Sequence, residues 1–299
     1  MRHSMTHIDP RMQGRIDRLI AQQRFDLVHV ESIGFGNYNF GSHLPSVLTE
    51  HEVGRRQDAA LHDERTRQPS TWKQFDRIQV FTPRDAGALR LRAPELAARV
   101  RVNPFGIDIP PKADPEREHP NTVVFVGGFR HRPNVHAAQW LVTEIMPLLR
   151  TMSPGVRASI VGSHPPENVR ALACEDIVVA ADVPSIAPFL EHAAVVVAPL
   201  HTGGGMRVKV LQAMAVGKAV VTTPIGAEGV TEAPDRPLIV ADDAQHFARE
   251  TAALLADAEK RRQLGQRARA FVQAHHTWAA YVERLEAIYA EVVPNHAVR

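Results

Sequence analysis

Three consecutive glycines, Gly203, Gly204 and Gly205, stand between an apolar run at 195–199 and a helical pattern that opens with Met206, Arg207 and Lys209. Glycines let the main chain approach a ligand closely with its N–H groups turned outward. A helix starting there adds the positive end of its dipole and first-turn donors that have no intrahelical acceptor. Arg207 and Lys209 are expected in that first turn as two cations. Donors, dipole and cations together suit a phosphate, and a diphosphate better still. Val208, Leu211 and Ala215, with Met214 beside them, recur at helical spacing and predict a core-facing stripe. Lys209 and Gln212, three apart, share a different face. Gln212 therefore falls about one turn beyond the phosphate end, where the ribose of a docked nucleoside diphosphate would lie. A glycine turn before a surface helix with two solvated cations has the same pattern, so the motif alone leaves both readings open.

A turn of this kind must be presented at the open end of a sheet. From Asn121 onward, apolar strands alternate with helical patterns. Strands are expected at 122–126, 157–161, 177–180, 195–199, 219–222 and 238–240. A helix over 135–149 carries Trp140, Leu141, Ile145 and Leu148 as a stripe. Strands apolar on both faces and joined by crossovers imply a parallel sheet covered on both sides. Ligands of such sheets bind outside the carboxyl ends of the strands, where the loops after Val126, Val161, Pro199 and Thr222 all fall.

The first 109 residues read as a smaller, incomplete version of the same plan. Short strands are expected at 27–30, 47–49, 78–81 and 100–102, after a helix at 11–23. The polar, arginine-rich stretch 54–72 reads as a helix with a looser section. The prolines between Pro104 and Pro120 suit a linker. Three segments are thus expected: 1–109, 110–276, and a final helix over 277–299 capped by Thr277. In that helix Trp278, Tyr281, Leu285, Ile288 or Tyr289, and Val292 form a stripe that needs an apolar surface to cover.

Composition narrows the class. With 44% hydrophobic and 23% charged residues, the 299-residue chain has a globular make-up, and a formal charge of +2 gives no case for nucleic acid. A single cysteine, Cys174, excludes an intramolecular disulfide and fits a reducing cytoplasm. No apolar run is long enough to cross a bilayer, and the first 24 residues lack a signal-peptide core. A cytoplasmic location is expected, with the inner membrane surface left open. Arg2, Arg11, Arg15, Arg18 and Arg24 lie on or near the first helix, where they suit either water or an anionic membrane surface. No Asp-x-Asp pair or His/Cys/Asp cluster has metal-ligand spacing, so no metal and no cofactor are expected; the adjacent Asp242 and Asp243 read as a helix cap.

Several segments together resemble the group 1 glycosyltransferases, the retaining family of GT-B architecture. They are 124–141 (VFVGGFRHRPNVHAAQWL), 160–162 (IVG), 197–200 (VAPL), the 203–217 motif and 220–229 (VVTTPIGAEG). Earlier, 25–31 (FDLVHVE), 48–52 (LTEHE) and 102–108 (VNPFGID) are similar to the second half of that family's N-terminal domain and its linker, and 254–278 to its usual ending. The resemblance implies an α/β chain of two Rossmann-like domains with parallel sheets, the N-terminal one incomplete, and a last helix crossing back to it. It implies transfer of a sugar from a nucleoside-diphosphate sugar to a hydroxyl of a glycan or lipid-linked acceptor, with retention and without a bound metal. Carried over, Gly127 and Gly128 would line the cleft beside the nucleotide. Gly204 and Gly205 would offer donors to the diphosphate, and Arg207 and Lys209 would stabilise the leaving group. Gln212 would face the ribose, and His51 would lie near the donor sugar.

The chain departs from the family twice. Two glutamates usually stand eight positions apart around this loop; here those positions hold Gly204 and Gln212, which leaves the sugar hydroxyls to the backbone of Gly203 to Met206. The usual opening strand and glycine-rich loop are also missing ahead of the first strand. The strand at 27–30 then becomes an exposed sheet edge, open to a second copy or another chain. The alternative is a non-catalytic or truncated remnant that binds a nucleotide or a partner. An epimerase would need carboxylates for proton abstraction, and the glycine loop supplies none.

Overall fold

The computed structural model of the chain describes residues 8–41, 44–51, 53, 69–230 and 236–293. These divide into two compact units. The first comprises 1–105 and 279–299, the second 106–278.

In the first unit, helix α1 (Pro10–Gln22) is capped by Asp9, which accepts from Arg11 N, and buries none of its side chains. Strands β1 (Val28–Glu31), β2 (Ser46–Glu50) and β3 (Arg77–Val80) follow, then helix α2 (Pro83–Arg92) and strand β4 (Val100–Val102). The sheet runs β1-β2-β3-β4, all parallel, so β1 is its end strand. Leu48, Trp72, Phe75, Ile78 and Leu89 form the heart of its core. The indole N–H of Trp72 donates to buried Glu50 at 2.9 Å, which supplies the partner a buried carboxylate requires. Most of the arginine-rich stretch expected as a helix, 54–68, lies outside the described residues.

The second unit carries β5 (Thr122–Val126), α3 (Arg132–Trp140), α4 (Met146–Met152), β6 (Arg157–Gly162), α5 (Glu167–Arg170), β7 (Ile177–Ala181), α6 (Ala187–His192) and β8 (Val195–Ala198). It continues with α7 (Val208–Ala215), β9 (Ala219–Thr222), α8 (Pro224–Ala227), β10 (Ile239–Val240), α9 (Ala244–Ala256) and α10 (Ala258–His275). Its sheet order is β10-β9-β8-β5-β6-β7, parallel throughout, the doubly wound arrangement of a dinucleotide-binding fold. All ten expected strands are present, with ends differing by a residue or two. The stretch read as a linker is fastened to this unit: Ile107 N donates to His276 O and Ala113 N to Val216 O.

Helix 135–149 shows an instructive difference. It is broken by a π-helical turn, Leu141–Ile145, where Met146 N reaches back to Leu141 O. Pro147 has no N–H, and its ring would crowd the carbonyl four residues earlier; widening the helix one turn ahead relieves both problems. The extra residue rotates the stripe, so Leu149 is buried while Leu148 is only partly so.

The chain ends on α11 (Trp278–Ala290), which packs into the first unit from Ala279 onward. Its stripe differs from the one expected, since Trp278 is 43% exposed and only Tyr281 and Ile288 are buried. What it meets is polar. Tyr281 OH accepts from Gln79 Nε2 at 3.0 Å, Arg284 Nε donates to Asn103 Oδ1 at 2.8 Å, and Tyr289 OH lies 2.6 Å from His29 Nδ1. Just beyond, Glu291 accepts from Arg77 Nε at 2.6 Å and Arg101 Nε at 2.8 Å.

Arg101 first, then Arg77, hold the Glu291 carboxyl down at about 2, against 4.5 unperturbed. A lowered carboxylate stabilises the fold above its unfolded pKa and loses that contribution as pH falls through the folded one. The difference in Tm between wild type and Glu291→Gln should therefore be present at pH 6 and shrink below 4.5, vanishing towards 2. Thermal unfolding across that range checks it, and a gap independent of pH would contradict the ion-pair assignment.

Candidate functional site

In the second unit, β5 and β8 are neighbours whose outgoing connections lead to opposite sides of the sheet. A crevice opens at the carboxyl ends of such a pair, and the glycine loops after both strands lie there.

The loop after β5 is short and held at both ends. Gly127 N donates to Val161 O and Phe129 N to Ser163 O, each at 2.9 Å. A Cβ on Gly127 would stand 2.9 Å from Asn134 Cγ, so a side chain there would displace the first turn of α3. Asn134, 6% exposed, donates through Nδ2 to Gly128 O at 2.7 Å.

The loop after β8 holds the glycine run. Gly203 has φ +117° and Gly205 φ +67°, conformations that side-chain-bearing residues rarely adopt. Among the described residues, the main-chain N–H groups of Gly203, Gly204, Gly205, Met206, Val208 and Lys209 donate to no acceptor. The turn is braced from beneath. Thr222 Oγ1 donates to Ala198 O at 2.8 Å, Thr223 Oγ1 to Leu200 O, and Gly226 N to Thr223 Oγ1 at 3.0 Å.

The two cations occupy different surroundings. Arg207 is the N-cap of α7, not a member of its first turn, and is 5% exposed. Its guanidinium donates to Gly204 O at 2.6 Å, Ile225 O at 3.0 Å and Glu228 at 3.5 Å. The reason is local: with φ −90° and ψ 65°, the residue has not entered the helix, and its side chain fastens the glycine turn to the loop after β9. Lys209 does lie in the first turn. Its Nζ donates to Asn134 Oδ1 and sits 5.0 Å from the centroid of the Phe125 ring. Burial, then the Arg207 charge, pull its ammonium from 10.5 down to about 7. Gln212 is exposed on α7 and Met206 partly so, while Val210, Leu211, Ala213, Met214 and Ala215 are buried, a broader face than the predicted stripe.

Asn134 thus links Gly127 and Gly128 to Lys209, and Arg207 organises Gly203 to Gly205. His51 belongs to the first unit, just past β2. Its Nε2 lies 3.5 Å from Glu31 Oε2 and its ring meets Phe81 edge-on at 5.1 Å. The Glu31 hydrogen bond raises the His51 pKa, and the same bond lowers that of Glu31. Asn134, Phe125 and Glu228 carry no sequence signal of their own beyond their positions beside the glycine motifs. One group among the described residues has metal-ligand geometry: Asp242, Asp243 and His246 can bring ligand atoms within 4.8 Å. Asp243 Oδ1 is engaged there as the α9 cap, accepting from His246 N at 2.7 Å. Among the described residues, no helix is long and apolar enough to cross a membrane.

Residues 120–257 match a protein-family model described as glycosyl transferases group 1. No curated protein matches the chain in sequence. Sucrose-phosphate synthase from Thermosynechococcus elongatus is similar in structure, with TM-score 0.76 and 20% identity over 96% of this chain and 78% of that one. HepE of Anabaena, in complex with UDP and glucose, gives TM-score 0.72 and 14% identity over 96% and 82%. TarM gives TM-score 0.76 and 13% identity over 92% of this chain, which spans 57% of TarM. These likenesses establish two parallel-sheet units of GT-B type.

The Lys209 environment makes a stability prediction. Because its folded pKa lies below the unfolded one, the fold bears the full cost of burying the charge below about pH 7, and the cost disappears as pH rises towards 10.5. Lys209→Met should be more stable than wild type at pH 6, with the gap closing by pH 10. Urea unfolding at the two pH values measures this, and a constant gap would show that Lys209 keeps an ordinary pKa.

Proposed function

We propose that this chain, whose residues 120–257 match the group 1 glycosyltransferase model, binds a nucleoside-diphosphate sugar on the 203–209 turn and transfers the sugar to a hydroxyl with retention. One observation carries the reading: six main-chain N–H groups without acceptors among the described residues, in a single turn, next to a lysine that has no carboxylate partner. Phosphate oxygens supply the acceptors that water would otherwise provide. The UDP held by the structurally similar HepE is a ligand of this class.

In the proposed reaction the bond from sugar C1 to the diphosphate oxygen breaks, and its electron pair stays on the phosphate. A bond from C1 to the acceptor oxygen forms, and the acceptor hydroxyl passes its proton to an oxygen of the departing diphosphate. The amides of Gly203 to Met206 and the Lys209 ammonium stabilise the charge growing on the leaving diphosphate. Arg207, neutralised by Glu228, shapes the turn. Gly127 and Gly128 lie beside the nucleotide, and Gln212 offers its amide to the ribose.

Calorimetric titration with UDP tests this. Lys209→Ala and Arg207→Ala should each weaken binding at least roughly tenfold, about 1.4 kcal/mol. Arg207→Ala should also lower Tm, whereas Cys174→Ser, exposed on the far strand connection, should change neither. Equal UDP affinity in all four proteins would sink the phosphate assignment. Retention is read separately, from the anomeric configuration of the product by NMR.

A further inference from the structure

Each fully buried cation of the second unit, among the described residues, has a carboxylate partner, whereas part-buried Lys209 has none. Arg207 meets Glu228 at 3.5 Å, Lys218 meets Glu118 at 3.3 Å, and Arg261 Nε meets Glu118 at 2.9 Å. Among the described residues, Lys209 has no carboxylate within ion-pair distance. Its partners are the Asn134 amide and the face of Phe125, both uncharged.

We propose that Asn134 is a positioning residue that holds the Lys209 ammonium at the mouth of the glycine turn without neutralising it, so that the charge is reserved for the phosphate of an incoming ligand. The second half of this statement rests on the nucleotide reading above; the first does not.

The chemistry of the side chain supports the assignment. An ammonium only donates and a main-chain carbonyl only accepts, so the residue between Lys209 and Gly128 must present one acceptor and one donor. Asparagine does so in one orientation, Oδ1 towards Lys209 and Nδ2 towards Gly128 O. Aspartate would set an acceptor against the Gly128 carbonyl and cancel the ammonium. The fit against the β5 loop is close: a Cβ on residue 127 would stand 2.9 Å from Asn134 Cγ. The backbone pins the amide as well: Asn134 N donates to His131 O, and Pro133 of the same turn packs beside Gly203. One side chain thereby joins the β5 loop, the start of α3 and the phosphate-facing end of α7.

The expected consequence is that exchanging the amide for a carboxylate changes the proton affinity of Lys209, which a merely space-filling residue would not do. In the protein the ammonium is held down at about 7 by burial and by Arg207. The charged groups facing it are Arg207 and, through Arg207, Glu228; Phe125 of β5 and Asn134 of α3 bring none. A carboxylate at 134 supplies the missing counter-charge and must raise the value.

The test uses the full chain with Lys carbon-13 labelling, comparing wild type, Asn134→Asp, Asn134→Ala and, to assign the signal, Lys209→Arg. In the NMR titration, Lys209 should titrate near neutrality in wild type and well above it in Asn134→Asp. UDP calorimetry should show roughly tenfold weaker binding for Asn134→Asp, about 1.4 kcal/mol. Wild-type affinity should fall as pH rises through neutrality, and that dependence should be absent in Asn134→Asp and Lys209→Arg. Asn134→Ala should weaken binding while leaving Lys209 titrating below the ordinary lysine range. An unmoved Lys209 titration in Asn134→Asp overturns the positioning role whatever UDP does. A moved titration in a protein that does not bind UDP keeps the positioning role and overturns the nucleotide reading. Should Asn134→Asp fail to fold, Asn134→Ser supplies the neutral comparison: a Lys209 titration and UDP affinity equal to wild type would overturn the proposal.

Discussion

An ammonium held in a half-buried pocket by neutral partners is the constraint around which the ligand end of the second unit is organised. Removing a charge from water is costly, and a fold ordinarily offsets that cost with an opposite charge. The same unit does so at the other end of the sheet. Lys218, immediately before β9, donates to Glu118 and to the carbonyls of Glu191 and Ala193, and Arg261 of α10 shares the same carboxylate. The carboxyl ends of the strands are treated differently. Among the described residues, Arg207 is neutralised there and Lys209 is not, so one uncompensated charge remains beside a turn whose amides also lack acceptors. Charge and donors left open at one place define where an anion gains most.

The strand order explains why they are left open there. Between β5 and β8 the chain departs in opposite directions, so no crossover helix covers the carboxyl ends of that pair. Two loops must meet across the gap with little bulk. Gly127 permits the approach of Asn134, and Gly203 the approach of Arg207 and Pro133. Threonines 222 and 223 then fix the heights of the β8 and β9 loops against each other. The permissive glycine backbone is therefore combined with a floor fastened by side-chain hydrogen bonds, which preorganises the donors.

The strands were legible because a parallel sheet buried on both faces leaves unbroken apolar runs. Val195–Ala198, apolar at every position and buried throughout, could hardly be read otherwise. The glycine turn was equally visible, and so was Lys209 on its helix. What the sequence hid were contacts between distant residues. Asn134 and Lys209 are 75 positions apart, and nothing local marks an asparagine in a first helical turn as the neighbour of a lysine. Arg207 was misplaced by one position relative to the helix start, a small error along the chain that turns the guanidinium from the ligand side into the loop after β9. The π-turn was foreseeable from Pro147, whose missing N–H forbids a regular helix over 141–147.

The last helix went astray for a more general reason. Reading Trp278, Tyr281, Leu285 and Val292 as one apolar stripe presumes an apolar surface to receive it, whereas the face of the first sheet that α11 covers carries His29, Thr49, Gln79 and Asn103. Thr49, Gln79 and Asn103 are fully buried there and must be bonded, and part-buried His29 joins them. They are: Thr49 to His29 and Gln79, Gln79 to Tyr281 and Asn103, Asn103 to Arg284, and His29 to Tyr289. Among the described residues, no buried side-chain nitrogen or oxygen lacks a partner. A helix that completes a hydrogen-bond network is held to one register, since a shift of one residue would strand several polar groups at once. The segment after Ala279 is for that reason a structural part of the first unit, as binding to its four strands requires, and not a tail laid upon it.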